Sequence, residues 1–354
     1  LAPALAHADD AAMVRIGVLA FRDLAQTERT WSPTAAHLEH ALPGYRFRVT
    51  AFHNAELERA VAAGEIDFVF TQPEQFAQLR ARHGLAALAT LMPVVDGRPV
   101  TQFGGVIFTR VERTDIRGLQ DLRGKRLSAV YENSFGAYRM QQWALLKAGL
   151  RLPEDVASLT FTGQPQDRVV TEVLEGRADA GFVRTGVIES MQREGKLDAS
   201  LLRVLGAEAG QDFPLRLSTE LYPEWPFAAL RQVPKPLIKA VTLALLNIAP
   251  DSPAARAGHY YGFSPPGDYA PVEAVLLRLK ALPGRLDQFD VDDILEKYRT
   301  EFIALLAVMV LAAVAVALRL NRDNRRIRTA ARERDMLLAS LAEGVCGIDA
   351  AGRC

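Results

Sequence analysis

Two residues that could bind an anion follow an apolar stretch in the middle of the chain. Residues 180–183 (AGFV) are typical of a buried strand, and Arg184 and Thr185 come directly after them. An arginine presents a planar fork of donors with a permanent charge, which suits a bidentate oxyanion. The alternative is a structural role, because an arginine at a strand end often forms a salt bridge, here with Asp179, Glu189 or a residue of another lobe.

An earlier segment has the same order of elements. In both places the sequence predicts a helix, a glycine suited to its C-terminal end, a short buried strand, a turn and a second helix. Alignment of the two segments pairs Gly64 with Gly176, Asp67 with Asp179, and Gln72 with Arg184. We interpret the repeat as two related lobes, each with a mostly parallel sheet flanked by helices, although unrelated α/β proteins can show the same coincidence.

Helix starts offer a second kind of anion site, because their backbone amides are unpaired. Asn54 and Thr71 are the expected caps of the two helices in the first segment, and Asn133 or Ser134 is the expected cap of a later helix. Ser134 and Gly136 together could give an anion a hydroxyl, free amides and room for close approach. An ordinary N-cap without a ligand explains the same residues.

The sequence contains no pattern that argues for catalysis. Of the six histidines, only His37 and His40 have metal-like spacing, and a solvated helix surface explains them better than zinc does. The two cysteines, Cys346 and Cys354, leave no disulfide or thiolate metal site in the chain before them. A net charge of zero with 49% apolar residues indicates a folded protein without a nucleic-acid-binding surface. Binding is favoured over turnover, with no metal.

Residues 302–318 (FIALLAVMVLAAVAVAL) contain no charged residue. A run of about 17 residues is the short end of the length that spans a bilayer. A buried core helix is the alternative, but such a helix usually keeps a polar face. Arginines follow the run and acidic residues precede it, so the positive-inside rule places the C-terminal flank in the cytoplasm and the large N-terminal part outside. The arginines could instead bind RNA or lipid headgroups.

Several longer stretches resemble a known family. They are VRIGVLAFRD, WSPTAAHL, IDFVFTQPEQF, DLRGKRLSAV, DRVVTEVLEGRADAGFVRTGVIE and STELYPEWPFAAL, spread over residues 14–281. They resemble the phosphonate-binding-protein-like sensor domain of the tetrathionate sensor histidine kinases. The last stretch, MLLASLAEGVCGIDAAGRC, resembles the opening of a PAS domain.

The resemblance implies an α/β chain with a two-lobed type 2 periplasmic-binding-protein fold, followed by one transmembrane helix and the start of a PAS domain. The expected boundaries run from a signal-peptide remnant or disordered start at 1–12 to a truncated PAS domain at 336–354. Between them we expect a periplasmic domain at 13–298 (lobe 1 about 13–105 plus 207–290, lobe 2 about 106–206), a transmembrane helix at 301–319 and a cytoplasmic linker helix at 320–335.

This chain has only some of the residues that form the anion site in the family. Where phosphonate-binding transporter proteins have a Ser- and Thr-rich loop, this chain has YENSFGAY with Ser134, and Gln164 or Gln166 replaces their histidine. A phosphonate is therefore a poor match and a sulfur oxyanion a better one. The expected ligand-binding residues are Thr71, Gln72, Ser134, Phe135, Gly136, Arg184 and Thr185, with Arg22 and Trp31 as weaker candidates. We expect Trp225 to pack at the hinge rather than stack on a ligand.

Function is expected to be that of a membrane-bound sensor in two-component signal transduction. An oxyanion would close the lobes, closure would shift a helix at residues 292–298, and the transmembrane helix would pass the change on. The alternatives are a membrane-tethered solute-binding protein of an anion or phosphonate transporter, or a sensor with diguanylate cyclase output.

The expected partners of such a sensor are the small oxyanion, the bilayer, a second copy in a homodimer, and a response regulator reached through downstream domains. No cofactor is expected in this chain, because ATP would bind only a downstream kinase domain. The protein is expected in the inner membrane, with its sensor domain periplasmic and its C-terminus cytoplasmic.

Overall fold

The computed structural model describes residues 11–20, 23–95, 97–206, 213–282 and 298–343. The chain divides into two compact units, Leu1–Arg285 and Leu286–Cys354, which are treated separately below. Arg22, most of the helix expected at residues 292–298 and the PAS-like residues 344–354 lie outside the described residues.

Strands and helices alternate through the first unit. The strands are β1 (Ala12–Leu19), β2 (Tyr45–Phe52), β3 (Phe68–Phe70), β4 (Ala86–Val95), β5 (Arg98–Pro99), β6 (Gln102–Phe103), β7 (Gly105–Arg110), β8 (Arg126–Ala129), β9 (Ser158–Phe161), β10 (Ala180–Arg184), β11 (Leu202–Leu205), β12 (Tyr222–Pro223), β13 (Pro226–Ala229) and β14 (Tyr260–Ser264). The α-helices are α1 (Leu24–Ala41), α2 (Asn54–Ala62), α3 (Pro73–His83), α4 (Met140–Lys147), α5 (Asp167–Leu174), α6 (Val187–Arg193), α7 (Lys235–Leu246), α8 (Pro253–Gly258) and α9 (Ala270–Arg278). Short 3₁₀ turns lie at Leu119–Leu122 and Ala199–Leu201, and a π-helical turn at Phe135–Arg139 precedes α4.

The strands form two sheets, which define two lobes. Lobe 1 has the order β14-β4-β13-β3-β1-β2, with β5 paired to β4, and lobe 2 has the order β11-β7-β10-β8-β9. In each sheet the strand next to one edge, β1 or β8, pairs in parallel with two neighbours. The predicted α/β class and two-lobed architecture are confirmed.

The prediction of mostly parallel sheets is wrong, because four of the six described strand pairs in lobe 1 and two of the four in lobe 2 are antiparallel. Strand β7 pairs antiparallel to β10, and β13 pairs antiparallel to β3. Both β7 and β13 begin where the chain crosses from one lobe to the other, at the edge where β10 and β3 end. A strand that enters a sheet from that edge must run against the strands that finish there.

The crossing segments form the hinge, residues 101–105 and 218–225. Strands β6 and β12 pair antiparallel within it. The Glu224 N–H donates to the Thr101 carbonyl at 2.9 Å, and the Ser218 N–H donates to the Gly105 carbonyl at 2.9 Å. Trp225 is buried here and its ring centroid lies 5.3 Å from that of Phe70, which is a packing role.

Apolar residues on both faces of each sheet form the hydrophobic cores of the lobes. In lobe 2 one cluster includes Phe108, Val169 and Val183, and a second includes Ile107 and Phe182. Because helices cover both faces, the central strands are almost continuously apolar, which is why AGFV was recognisable as a strand.

The expected helix caps are partly wrong. His53, not Asn54, precedes α2, and Gln72, not Thr71, caps α3 by accepting a hydrogen bond from the Glu74 N–H. Ser134 does occupy the N-cap position of the π-helical turn, but without a side-chain capping bond among the described residues.

The second unit contains one long helix, α10 (Arg299–Glu343). Within it, Arg299–Leu338 contains an 18-residue window that is apolar enough to cross a membrane by length and composition. The apolar run and the arginine-rich segment expected to be a separate linker are one continuous helix, with exposed side chains over residues 299–338.

Candidate functional site

The cleft between the lobes brings together the strand ends that the sequence singled out. The register pairs Phe70 with Phe227 at the end of β3, and Arg184 with Gly105 at the end of β10. Helix α3 starts directly after β3, and the π-helical turn follows the loop after β8. Ligands of α/β sheets bind at such an edge, because helix N-termini and loop side chains converge there.

Arg184 lies at the cleft with its guanidinium already paired. Its Nη2 donates to the Glu224 Oε1 at 2.6 Å, and its Cζ lies 4.5 Å from the centroid of the Phe103 ring. The salt bridge considered for this arginine therefore exists, but with a hinge residue. Asp179 pairs with Arg113 and Arg126 instead, and Glu189 pairs with Arg216.

Glu224 is an unusual partner because it is almost completely buried, with 1% of its surface exposed. Burial raises the pKa of Glu224, and the Arg184 guanidinium together with the Trp225 backbone N–H opposes that shift. A buried carboxylate that depends on one arginine makes the position of that arginine important for the whole hinge.

Thr185 and Gln166 hold the backbone at the end of β10. The Thr185 N–H donates to the Gly104 carbonyl at 3.0 Å, and its hydroxyl accepts a bond from the Gly104 N–H at 3.3 Å. The Gln166 Oε1 accepts from the Arg184 N–H at 3.0 Å. These contacts fix the base of the Arg184 side chain against the hinge.

Thr71 and Gln72 lie on the lobe 1 side of the cleft. Thr71 is fully buried, and its hydroxyl donates to the Gln75 Oε1. The Gln72 Nε2 donates to the Asn133 carbonyl at 3.2 Å, which joins the two lobes directly.

Ser134, Phe135 and Gly136 approach the cleft from lobe 2. The Phe135 ring meets Tyr222 edge-on with centroids 5.1 Å apart. A Cβ on Gly136 would lie 2.5 Å from Phe103 Cε2 and 3.2 Å from Arg184 Cβ, so only glycine allows the turn to approach the arginine this closely. The Ser134 carbonyl accepts the Arg139 N–H at 3.0 Å within the turn.

A second ion pair spans the cleft. The Arg139 Nε donates to the Glu74 Oε1 at 3.3 Å, and the Arg139 Nη1 donates to the Gln142 Oε1 at 3.0 Å. Glu74 is completely buried at the start of α3. Burial raises the pKa of Glu74 to about 7, against the attraction of Arg139.

Sequence reasoning missed Glu74, Arg139 and Glu224. An acidic residue in the first turn of a helix is usually a solvated partner of the helix dipole, so Glu74 gave no signal by itself. Its neighbours did, because Pro73 and Phe76 on either side indicate a helix start that packs into the protein.

The remaining candidates lie apart from these charges or cannot be located. Trp31 lies on α1, where its ring stacks on Tyr260 with centroids 5.6 Å apart and contacts Phe70 at 4.3 Å. Arg22 lies outside the described residues. In the described ranges, no group of three or more His, Cys, Asp or Glu side chains is arranged to hold a metal ion. The charges that the structure brings together at the cleft are two arginine–glutamate pairs.

A curated protein of known name has a related sequence. The Tetrathionate sensor histidine kinase TtrS of Salmonella typhimurium is 36% identical over 280 residues, which cover 79% of this chain and 46% of that protein. The chain therefore spans about half the length of this curated relative.

Solved structures share the fold at low identity. XAC2383 from Xanthomonas citri, bound to ATP, gives a TM-score of 0.63 at 16% identity and covers 77% of this chain and 100% of its own. PhnD1 from Prochlorococcus marinus, in complex with methylphosphonate, gives a TM-score of 0.58 at 14% identity and covers 76% of this chain and 98% of its own. The family described as ABC transporter, phosphonate, periplasmic substrate-binding protein matches residues 16–269. The expected type 2 binding-protein fold is confirmed, and the chain belongs to the phosphonate-binding family of periplasmic substrate-binding proteins.

Proposed function

We propose that this chain is the sensing and membrane-spanning part of a two-component sensor, whose periplasmic domain binds a small sulfur oxyanion such as tetrathionate. The observation that carries the proposal is the combination, in one chain, of a two-lobed binding fold with a helix long and apolar enough to cross a membrane. A binding protein that must report occupancy across a membrane needs both parts.

The identity of the relative supports a sensor rather than a transporter component. TtrS is named as a sensor histidine kinase for tetrathionate, and the similarity extends over 280 residues. In this proposal the chain lies in the inner membrane, with the binding domain outside and the arginines that follow the apolar run in the cytoplasm.

The charges at the cleft support an anion as the ligand. Arg184 and Arg139 both come from lobe 2, and their guanidiniums pair with Glu224 of the hinge and Glu74 of lobe 1. A guanidinium suits a tetrahedral oxyanion because it can donate two parallel hydrogen bonds.

Signalling would follow from the two-lobed geometry. A ligand held by residues of both lobes stabilises the closed arrangement, and the closed population grows only by the ligand's preference for that arrangement. The unit that contains α10 would carry this shift to a cytoplasmic histidine kinase, a response regulator and a second copy of the chain.

A calorimetric titration of the 354-residue chain in detergent micelles tests the ligand. We expect tetrathionate to bind more tightly than thiosulfate, sulfate, phosphite or methylphosphonate. The variant Arg184→Ala should lose about a hundredfold in affinity, because a charge-assisted hydrogen bond in a desolvated cleft is worth about 2–3 kcal/mol. Unchanged affinity in Arg184→Ala would contradict the assigned site.

A membrane-tethered binding protein for a transporter is the second candidate, and the transporter description of the family favours it. A chimera in which α10 leads into a histidine kinase core separates the two. A sensor should change kinase phosphorylation when the oxyanion is added. A tethered binding protein should bind the oxyanion and leave phosphorylation unchanged.

A further inference from the structure

Two buried or half-buried ion pairs cross the cleft with the same polarity. Arg139 and Arg184 come from lobe 2, while Glu74 comes from the start of α3 and Glu224 from the hinge strand that leads into β13. Both carboxylates are at most 1% exposed, so each is a buried anion that uses an arginine as its counter-ion.

Hydrogen bonds connect the segments that carry the two pairs. On the lobe 1 side, the Thr71 N–H donates to the Pro226 carbonyl, which joins the start of α3 to the hinge strand that carries Glu224. On the lobe 2 side, the Gln141 Nε2 donates to the carbonyls of Gly136 and Val183 at 2.9 and 3.0 Å. These bonds tie the turn that carries Arg139 to the strand that carries Arg184.

The hydrogen bonding of the buried carboxylates is incomplete. The Glu74 Oε2 is buried and has no hydrogen-bond partner in the described part of the chain, while its Oε1 accepts from both Arg139 and Gln78. Burial of an ionised carboxylate with one oxygen unpaired is unfavourable, which is consistent with the raised pKa of Glu74. A sulfonate end has three acceptor oxygens and is a better partner for a guanidinium at the same place.

We propose that Arg139 and Arg184 bind the two anionic ends of one ligand. Glu74 gives up Arg139 and takes up a proton, whereas Glu224 gives up Arg184 and keeps its hydrogen bond from the Trp225 N–H. This inference rests on the proposed function and narrows it to oxyanions with two separated charged groups. A ligand with one anionic end can replace only one carboxylate.

The charges around Glu74 determine whether ligand binding raises or lowers the pKa of its carboxyl group. From lobe 2, Arg139, Glu132 and Tyr138 interact with its carboxyl group. On the helices packed against α3, the acidic groups Glu58 and Glu273 are paired with Arg82 and Arg80 towards its C-terminal end. Arg139 is therefore the cation that governs Glu74, and an anion bound to Arg139 raises the pKa of Glu74 further.

The pH range in which binding takes up a proton follows from this rise in the pKa of Glu74. Well above pH 7 Glu74 is largely ionised before binding and must take up a proton, whereas below about pH 6 it is already protonated. Affinity should thus be highest at low pH and fall as pH rises above about 7, by up to about tenfold per pH unit.

Calorimetry of the 354-residue chain in micelles tests the inference with tetrathionate and with methanesulfonate, which has a single anionic end. The titrations use two buffers of different ionisation enthalpy, neither of them a sulfur or phosphorus oxyanion. We expect uptake of about one proton per tetrathionate at about pH 8 and almost none at about pH 5.5. Methanesulfonate should bind at least about a hundredfold more weakly.

Variants separate the roles of the side chains. Glu74→Gln is close in shape to protonated Glu74, so it should abolish proton uptake and bind tetrathionate more tightly than the parent at about pH 8. Arg139→Gln should lose about tenfold or more in affinity, and Arg139→Lys should recover part of it. Glu132→Gln is the matched control, because Glu132 also faces Arg139 but is 72% exposed; its proton uptake should match that of the parent.

Two results overturn the inference in different ways. If tetrathionate binding depends on Arg184 while Arg139→Gln binds equally well and no proton is taken up, the second anion position is wrong and the proposed function stands. If none of the oxyanions produces heat, the proposed function fails and the inference fails with it. Retained near-ultraviolet circular dichroism in each variant excludes unfolding as the cause.

Discussion

The two lobes are nearly identical at one edge of their sheets and opposite in charge at the other. At the amino edge, the Arg15 N–H and Nε donate to the Asp67 Oδ2 at 2.8 and 3.1 Å, and the Arg15 Nη2 donates to the Gly64 carbonyl at 3.1 Å. In lobe 2, the Arg126 N–H and Nε donate to the Asp179 Oδ2 at 2.9 and 3.1 Å, and the Arg126 Nη2 donates to the Gly176 carbonyl at 2.9 Å.

At the carboxyl edge the same positions carry different side chains. Lobe 1 has Gln72 after β3, followed by Glu74. Lobe 2 has Arg184 at the end of β10 and Arg139 in the turn that Gln141 ties to that strand. The edge that fixes the fold is thus the same in both lobes, while the edge at the cleft is neutral or acidic on one side and cationic on the other. We therefore expect lobe 2 to bind the charged groups of the ligand.

The largest effect is expected at the shared edge, where lobe 2 adds a second arginine. Burial acts to raise the pKa of Asp179, but hydrogen bonds from Arg126 and Arg113 outweigh it and lower the pKa below its usual value. Asp179→Asn should lower the free energy of unfolding by about 3 kcal/mol, because it leaves the Arg126 guanidinium without a carboxylate and leaves Arg113 with Asp115 alone. Asp67→Asn, with one arginine that is 43% exposed, should cost about 1 kcal/mol.

Urea unfolding at neutral pH measures this difference. Because the folded-state pKa of Asp179 is depressed, its stabilisation is present at neutral pH and is lost as pH falls below about 4. The two variants should therefore differ less in acid. Equal losses at neutral pH would show that the second arginine in lobe 2 contributes nothing.

A smaller effect is expected from filling the space beside Arg184. Gly136→Ala places a Cβ 2.5 Å from the Phe103 ring and 3.2 Å from Arg184 Cβ, so the turn must move away from the arginine. We expect about a tenfold loss of oxyanion affinity, since a small misplacement weakens a bidentate contact. Gly118→Ala is the control, because its Cβ would meet nothing closer than Asp121 Oδ2 at 3.9 Å. If Gly136→Ala and Gly118→Ala bind the oxyanion with equal affinity in calorimetry, Gly136 does not position the site.

The smallest effect is expected on the neutral side. Gln72→Ala removes the cap of α3 and the bond to the Asn133 carbonyl, both of which are neutral hydrogen bonds. It should weaken oxyanion binding by about threefold to tenfold, well below the loss in Arg184→Ala. A larger loss than in Arg184→Ala would reverse the comparison and make lobe 1 the main anion-binding face.

The shared edge could be predicted from the sequence, and the opposed charges only in part. Gly64, Gly176, Asp67 and Asp179 were aligned correctly because a glycine after a helix and an acidic residue before an apolar strand are local patterns. The alignment also placed Gln72 opposite Arg184; in the structure Gln72 lies two residues after β3 and Arg184 is the last residue of β10.

The partners of the arginines could not be predicted, because they come from distant parts of the chain. Glu224 precedes β13, 40 residues after Arg184, and Glu74 and Arg139 are 65 residues apart. Their contact depends on how the hinge brings the lobes together, which local periodicity does not encode. The antiparallel strands β7 and β13 were missed for the same reason, since their direction depends on where the chain crosses between lobes.

A crystal structure of the chain with tetrathionate, with the sulfur atoms located by anomalous scattering, tests the central claim most directly. The account predicts one sulfonate within about 3 Å of the Arg184 guanidinium and the other within the same distance of Arg139, with Glu74 and Glu224 no longer paired to them. Tetrathionate bound to Thr71 and Gln72 alone, with both arginines still paired to their glutamates, would contradict it.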